Sequence, residues 1–452
     1  MGAAAYVPHR RLDRSTIAAI AGGGGGKGTR SVAGYDEDTT TMGVEAARAA
    51  LAPLRDVAPH TVWFSTVAPA YADKTNATTV HAALRLDRSA AAFDVNGSVR
   101  SAMAALYAAA HGRGTHLVVS ADLRSGLAGG PDESAFGDAG AALVVGDGDD
   151  SPVLAELIGG GRATEEFLDR WRKPGEVRSK VWEERFGETR YVPLGVQVWE
   201  DALKSAGLVA EQVDHVVIAG THGRANAALV KKLGVGDRLV GDLGASIGNA
   251  GAAQPALGLT AALEQSTSGQ VIVLLVVADG ADAAVFRTTE ALSGWQPSRP
   301  VVDQVAGGAP IPYGTYLRWR GVLPFEPPRR PEPARPSASA AGRSGDWKFG
   351  FVGSAGPGGE VHLPPQAGDD AAVPMADATG TVVTFTIDRL AYSPSPPVVF
   401  AVVDFDGGGR LPVELTDVDV DQVRTGARVE LTFRKLFTAD DIHNYFWKAR
   451  LA

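Results

Sequence analysis

Along the first 322 residues, short continuous apolar runs alternate with Ala-rich stretches whose apolar positions recur at helical spacing. The pattern predicts strands at 60–68, 91–95, 115–122, 140–146, 214–220 and 271–279, and helices at 40–51, 101–112, 195–208 and 225–235. Strands without polar alternation, separated by helices, imply a parallel-rich sheet covered on both faces. The text also echoes itself. Residues 86–122 and 236–280 each run Asp-Arg, short strand, small-residue turn, Ala/Leu helix, polar turn, and buried strand ending in Ala-Asp. The two copies lie about 150 residues apart, a common half-domain size, and point to duplication. Halves of about 1–150 and 190–322 flank a charged segment, 151–190, which carries Trp171 and Trp182 and reads as an excursion covering a cleft or an interface. Residues 323–345, rich in Pro, Ala and Ser with repeated Arg, cannot build a core and read as a semi-rigid linker. From 346 to 452 the period changes to alternating strands joined by Gly, Pro and Asp turns, the pattern of a small barrel of five or six strands.

Composition narrows the function. A length of 452 residues suggests two or three domains, and 45% hydrophobic with 21% charged content is that of a soluble globular chain. A formal charge of −9 argues against nucleic acid as partner, because phosphates need a basic face. With no cysteine, disulfides, cysteine-held zinc and thiol catalysis are excluded. No apolar run approaches the roughly 20 residues that span a bilayer, so no membrane contact is expected. The N-terminal residues lack a secretory pattern, and the expected location is cytoplasmic.

The missing cysteine matters at one place. "FDVNGSVRSAMAAL" (93–106) runs from a strand through a small-residue turn into a helix. A helix N-terminus there offers free N–H groups and a positive dipole end, the setting that activates a nucleophile. Ser98 is either that nucleophile, activated by a base, or the helix N-cap. "GGGGGKGTR" (22–30) resembles a phosphate loop but fails on spacing, because Ala21 and Gly28 stand where Gly and Ser or Thr are needed.

Several motifs together carry a resemblance over nearly the whole chain. "YVPHRRL", "YDEDTTTMGVEAARAAL", "AYADKTNAT", "FGDAGAALVVG", "GTHGRANAALVKKLG" and "SIGNAGAA" resemble the thiolase superfamily in its HMG-CoA synthase and ketoacyl synthase III branch. "FGFVGSAGPGGEVHLPP", "VVDFDGGGR", "VELTDV" and "FTADDIHNYFWKAR" resemble the acyl-CoA-associated OB-fold domain that accompanies such enzymes. The resemblance implies a duplicated five-layer α/β/α/β/α domain, a C-terminal OB barrel and a homodimer. It implies a coenzyme A thioester, or an acyl-carrier-protein thioester, as substrate, with no bound cofactor. The family's cysteine falls on Val99 and its general-base glutamate on Val67 or Ala68, whereas its His and Asn fall on His222 and Asn249.

A His/Asn pair that outlives the thiol implies a thioester enolate formed without covalent attachment, as in the thiolase-fold aldolases that cleave β-hydroxyacyl-CoA. Tyr71, His81 or another group then moves the hydroxyl proton. Two alternatives remain at this point: a Ser98-dependent acyltransferase or ketosynthase with His222 as base, and a non-catalytic partner of a second thiolase-like subunit. Arg100, Trp171, Arg172, Lys27 and Arg30 are candidates to meet CoA or substrate, each against a plain packing or salt-bridge role. The companion domain usually carries a four-cysteine zinc ribbon. Here Ala355, Gly358, Ala367 and the residues around Asp370 supply no ligand set, and His362 stands alone, so no metal is expected.

Overall fold

The computed structural model describes residues 1–54, 56–240, 243–369 and 371–452. They form two compact units. The first comprises Met1–Ala33, Asp38–Thr78 and Asp87–Tyr316; the second comprises Gly34–Glu37, Thr79–Leu86 and Leu317–Ala452.

The first unit holds two main sheets. One contains β1 (Gly2–Tyr6), β2 (Thr61–Ser65), β3 (Ala91–Asp94), β4 (His116–Asp122) and β5 (Ala139–Val145), in the order β1-β5-β4-β2-β3. The other contains β6 (Ala155–Ala163), β7 (His215–Ala219), β8 (Val271–Val277) and β9 (Ala281–Thr288), in the order β7-β8-β9-β6. β2 runs parallel to β3 and β4, and β5 and β1 follow antiparallel. β7 runs parallel to β8, and β9 and β6 follow antiparallel. A single parallel bridge from Val216 to Leu239 stands where β3 stands in the first sheet. The two halves thus share one topology, the physical form of the repeat in the sequence. The sheets are mixed rather than parallel-rich. The turn after β8 reverses the chain within three residues, with Asp279 (φ 49°) and Gly280 (φ 121°) in backbone conformations that leave no room for a crossover helix.

Helices α1 (Thr39–Leu51), α2 (Ser101–Ala110), α3 (Glu184–Ala206), α4 (Gly223–Leu233) and α5 (Gln254–Gln265) complete the layers. Met103 and Leu106 of α2 and Leu257 and Leu259 of α5 share one core with Val118 and Leu143 of the first sheet and Val217 and Leu274 of the second. Tyr191, Leu194 and Val198 of α3 and Leu229 of α4 pack on the opposite face of the second sheet. α1 lies on the first sheet, where a Cβ at Gly43 would come within 3.0 Å of Val119. β8 displays the logic. Ile272, Leu274 and Val276 face the central helices, and Val271, Val273, Leu275 and Val277 face the outer ones. Both faces are apolar, so the strand reads as an unbroken run.

Segment 151–190 supplies the edge strand β6 and the first turns of α3, besides a small hairpin of Arg170–Trp171 with Lys180–Val181. Its glycines hide the strand. They are poor strand formers, yet α3 needs them, because a Cβ at Gly161 would meet the Val198 carbonyl oxygen at 2.4 Å.

Glu264 of α5 accepts the Val301 N–H through both oxygens, at 3.0 and 2.9 Å, and burial pushes its carboxyl up from 4.5 to about 6. A carboxyl whose folded pKa is raised favours the protonated fold. Stability therefore falls as pH rises from about 4.5 to about 6, by ~1 kcal/mol after allowance for solvent screening. Glu264→Gln should remove that slope in urea titrations run at pH 4.5, 5.5 and 7.

In the second unit β10 (Thr379–Asp388), β11 (Val398–Phe405), β12 (Arg410–Leu415), β13 (Arg428–Ala439) and β14 (Ile442–Leu451) close into a barrel in the order β10-β11-β12-β14-β13. Val382, Val403, Val413, Leu431, Phe433 and Trp447 are buried in it. Arg434 and Lys448 are also fully buried, set among Asp36, Glu37, Glu414 and Asp417. Before the barrel, residues 324–337 have no regular structure, and a short helix, Ala338–Arg343, follows. In the small sheet ahead of the barrel His362 Nδ1 lies 2.8 Å from Asp369. Among the described residues no group of three His, Cys, Asp or Glu converges as a metal site; Asp370 lies outside the described residues. No described helix is long and apolar enough to cross a membrane.

Candidate active site

In the first unit a cavity of about 610 Å³ opens at the carboxyl ends of strands from both sheets. Thr66 and Val67 follow β2, Arg124 follows β4, Thr221 follows β7, and Ala278 and Asp279 follow β8. Carboxyl ends of parallel strands are where open α/β sheets place ligands, because the connecting loops splay apart there. The elbow between β3 and α2 contributes Asn96, Gly97, Ser98 and Val99 to the lining.

Short polar side chains hold this floor. Asp94, at the end of β3, accepts the N–H groups of Asn76 (2.8 Å) and Ala77 (2.7 Å) and so fixes the loop beside the elbow. Asp122, fully buried at the end of β4, accepts from Thr66 Oγ1 (2.9 Å), Val67 N–H (2.8 Å) and Ala252 N–H (2.8 Å), with Arg124 Nη1 at 3.5 Å. Burial pushes its carboxyl up, and Arg124 and the three donors pull against that shift. The nearby backbone is close-packed. At Gly251 (φ 57°) a Cβ would lie 2.1 Å from Asp122 Oδ2.

One wall is cationic. Arg124, Arg170, Arg172 and Lys173 line the cavity against the acids Glu176 and Asp279. Arg170 pairs with Asp132 at 2.6 Å, and the Arg124 and Arg170 guanidinium carbons lie 4.4 and 4.9 Å from the Phe136 ring centre. Arg172 donates to the Val67 carbonyl. Trp171 also lines the cavity and meets Trp182 edge-on at 6.4 Å.

At the elbow the N-cap position of α2 is Arg100, without a side-chain cap bond, so the Ser98 hydroxyl does not cap the helix. Instead the Ser98 carbonyl accepts the Ser101 N–H at 3.1 Å, and its own N–H donates to Ser101 Oγ at 3.3 Å. Among the described residues no backbone acceptor takes the N–H of Gly97 or Val99. The Val99 side chain is buried, 5% exposed.

His222 and Asn249 are not among the lining residues. His222 caps α4: its Nδ1 accepts the Ala225 N–H at 3.1 Å, and its Nε2 donates to the Glu184 carbonyl at 2.8 Å. Asn249 Nδ2 donates to the Gly220 carbonyl at 2.8 Å, and its Oδ1 accepts the Gly251 N–H at 2.9 Å. Both side chains are therefore committed to backbone, on either side of Thr221, which they hold in the cavity wall. Asn249 borders a separate cavity of about 480 Å³ beside α4 and α5.

The other candidates divide. Trp171, Arg172 and Ser98 come together in the cavity. Arg100 is bound up elsewhere, with Asp282 at 2.7 Å and the Asp279 carbonyl at 2.7 Å. Arg30, expected beside phosphate, is fully buried, on the Glu133 carbonyl (2.9 Å), the Arg124 carbonyl (2.8 Å) and Asp138 (3.3 Å). No ligand phosphate can reach a guanidinium so enclosed. Lys27 is exposed in the Gly-rich loop. Tyr71 and His81 do not line the cavity. Tyr191, Thr221, Arg124, Arg170, Lys173 and Asp279 line it without having been foreseen. Arg124 and Asp279 carried a usable signal: Asp279 is the Asp of the Ala-Asp that ends the second repeated strand, and Arg124 stands two residues past the Ala-Asp that ends the first.

Two mixed sheets of one topology, paired around central helices with an elbow at their carboxyl ends, define the thiolase-like fold, here in a chain that ends in a five-stranded OB barrel. Residues 372–434 match the family model described as ChsH2, C-terminal OB-fold domain. The hydroxymethylglutaryl-CoA synthase of Methanopyrus kandleri is 26% identical over 349 residues, covering 72% of this chain and 97% of that protein. Among solved structures, PksG, an HMG-CoA synthase from Bacillus subtilis, aligns with TM-score 0.61 and 15% identity over 71% of this chain and 87% of that one. The 3-oxoacyl-(acyl carrier protein) synthase III, FabH, of Pseudomonas aeruginosa aligns with TM-score 0.55 and 22% identity over 64% and 96%. The first domain thus has the thiolase-like fold and is similar in sequence to hydroxymethylglutaryl-CoA synthases, and an OB-fold domain follows it.

Proposed function

We propose that the protein is an enzyme that makes or breaks a carbon–carbon bond in an acyl-CoA, or an acyl-carrier-protein thioester, through an enolate and without a covalent acyl-enzyme. The observation that carries this reading is the elbow: Val99 stands in the cavity where the resemblance places a thiol, in a chain with no cysteine, while the cavity stays open. A thiol is needed only to hold a second acyl group, whereas enolate chemistry needs oxygen-facing donors and a proton carrier. The Gly97 and Val99 N–H groups serve as those donors. Preorganised donors of this kind are typically worth about 10²–10³ in rate each. The cationic wall of Arg124, Arg170, Arg172 and Lys173 attracts the anionic thioester. His222 and Asn249, first read as the oxygen cradle, act in this scheme as positioning residues for Thr221. The names of the M. kandleri and P. aeruginosa relatives, a CoA and an acyl-carrier-protein enzyme, support the substrate class. The expected homodimer and cytoplasmic location stay with this proposal.

The test is incubation with a panel of β-hydroxyacyl-CoA and acyl-CoA thioesters, followed by mass spectrometry of protein and products. A shortened acyl-CoA plus a free carbonyl compound, or the reverse condensation, with the protein mass unchanged, is the expected result. An acyl adduct on Ser98 overturns the non-covalent reading in favour of an acyltransferase. The commitment of His222 and Asn249 to backbone favours one other reading, a non-catalytic partner of a second thiolase-like subunit, and absence of turnover with every thioester would select it.

A further inference from the structure

We propose that Tyr191 is the catalytic residue that moves the hydroxyl proton, exchanging it with the Asp169 carboxylate buried behind it. This inference rests on the enolate reading above and supplies the proton carrier that reading lacks. Tyr191 lies in the second turn of α3 and lines the cavity, although the residue as a whole is only 3% exposed. Its ring is fixed by edge-on contacts with Phe167 at 4.9 Å and His222 at 5.7 Å, and its oxygen accepts the Asp279 N–H at 3.3 Å.

Asp169 is 4% exposed, and its Oδ1 makes no hydrogen bond among the described residues. A buried carboxylate oxygen without a donor is costly unless it takes up a proton. The Tyr191 phenol is its neighbour: the Tyr191 ring meets the His222 ring at 5.7 Å, Asp169 Oδ1 and His222 Nε2 converge on the gap at Gly187, one turn before Tyr191 in α3, and each group shifts the other's ionisation. Gly187 makes room for the cluster. A Cβ there would lie 2.5 Å from Asp169 Oδ1 and 2.8 Å from His222 Nε2, so any other residue on this turn of α3 would push into the pair. Tyr71 and His81, the carriers first considered, have no place in the cavity lining, and Ser98 and Thr221 have no comparable buried acceptor behind them.

The step balances without an added reagent. The substrate O–H breaks and its proton passes to Tyr191 Oη as the phenol proton passes to Asp169. The Cα–Cβ bond breaks, its electron pair becomes the thioester enolate, and the former hydroxyl carbon leaves as a carbonyl. The enolate carbon then takes a proton back along the same path, which restores the phenol and the carboxylate. The charged and titratable groups facing this pair are His222 at the head of α4, Arg170 beside Asp169 and Asp279 in the turn after β8. Burial pushes the Asp169 carboxyl up, and the Arg170 guanidinium opposes that shift.

By microscopic reversibility the same relay must exchange the α-protons of a simple thioester. Acetyl-CoA and propionyl-CoA in D₂O are the probes, with deuterium in the acyl group read by mass spectrometry and affinity read by calorimetry. The wild-type protein should exchange. Tyr191→Phe keeps the ring packing and should slow exchange by about 10²-fold or more with affinity retained. Asp169→Asn should slow it too and abolish the fall in rate that the wild type shows as pH drops through the carboxyl's titration, a change that mere loosening would not produce. Exchange by Tyr191→Phe within about threefold of wild type, or an unchanged acid limb in Asp169→Asn, overturns the relay and leaves the enolate reading standing. No exchange by the wild type with either probe overturns both.

Discussion

Asp122→Ala should destabilise the first unit by about 3–5 kcal/mol, the range for breaking one side of a buried charged pair. The carboxylate has no exposure and joins three chain segments: Thr66 and Val67 after β2, Ala252 before α5, and Arg124 after β4. Alanine leaves two buried N–H groups, a hydroxyl and a guanidinium without their acceptor, and each unmet donor carries its own desolvation penalty of about 1–3 kcal/mol. Urea unfolding would register a lower midpoint, and because Val67 and Arg124 line the cavity, thioester binding should weaken in the protein that remains folded. Asp122→Asn is the milder variant. It keeps one oxygen but turns an NH₂ group toward existing donors, so it should fall between wild type and alanine. A midpoint for Asp122→Ala within about 1 kcal/mol of wild type would mean that the three segments are held by packing alone.

The second large effect concerns the barrel. Arg434 is fully buried and sits 2.9 Å from Asp417, 3.2 Å from Glu37 and 3.9 Å from Asp36. Lys448, also fully buried, lies 3.0 Å from Asp36 and pairs with Glu414, which accepts from the Tyr35 hydroxyl at 3.0 Å. Burial alone would push Asp36 up, but Lys448 and Arg434 together hold it below the usual carboxylate range. Two cations thus answer four acids, and removing one cation strands the rest. Arg434→Ala should cost the second unit about 3–5 kcal/mol. Arg434→Ala combined with Asp417→Ala should recover part of that loss, because the second change removes a carboxylate left without its partner. Thermal unfolding of the single and double variants measures the coupling; strictly additive losses would refute it.

Strand and helix positions were legible because burial on both faces writes an unbroken apolar run, and β8 is the clearest case. β6 was not legible, since "LIGGGRA" gives up side chains to admit α3. The antiparallel partners were missed for a related reason: the reversal after β8 depends on a positive φ at Asp279, which the residue type does not announce. At the site, the elbow and its missing thiol could be read directly, and so could Trp171 and Arg172 as lining groups. Arg30 misled because a guanidinium in a Gly-rich neighbourhood looks the same in text whether it meets a phosphate or two carbonyl oxygens and Asp138. Tyr191 escaped notice because the charged stretch around it conceals the start of α3.

The sequence by itself determined the duplication, the two kinds of domain, the absence of thiol chemistry and the elbow that faces the cavity. These depend on residue type and spacing, which local backbone geometry translates directly. Only the tertiary structure decided which polar atoms face the cavity. His222 and Asn249 turn to the Glu184 and Gly220 carbonyls, while Tyr191 lines the cavity with Thr221 and takes the Asp279 N–H, because a polar side chain is oriented by whichever partner burial leaves within reach. That partner is set by segments far away in the chain, and no local pattern records it.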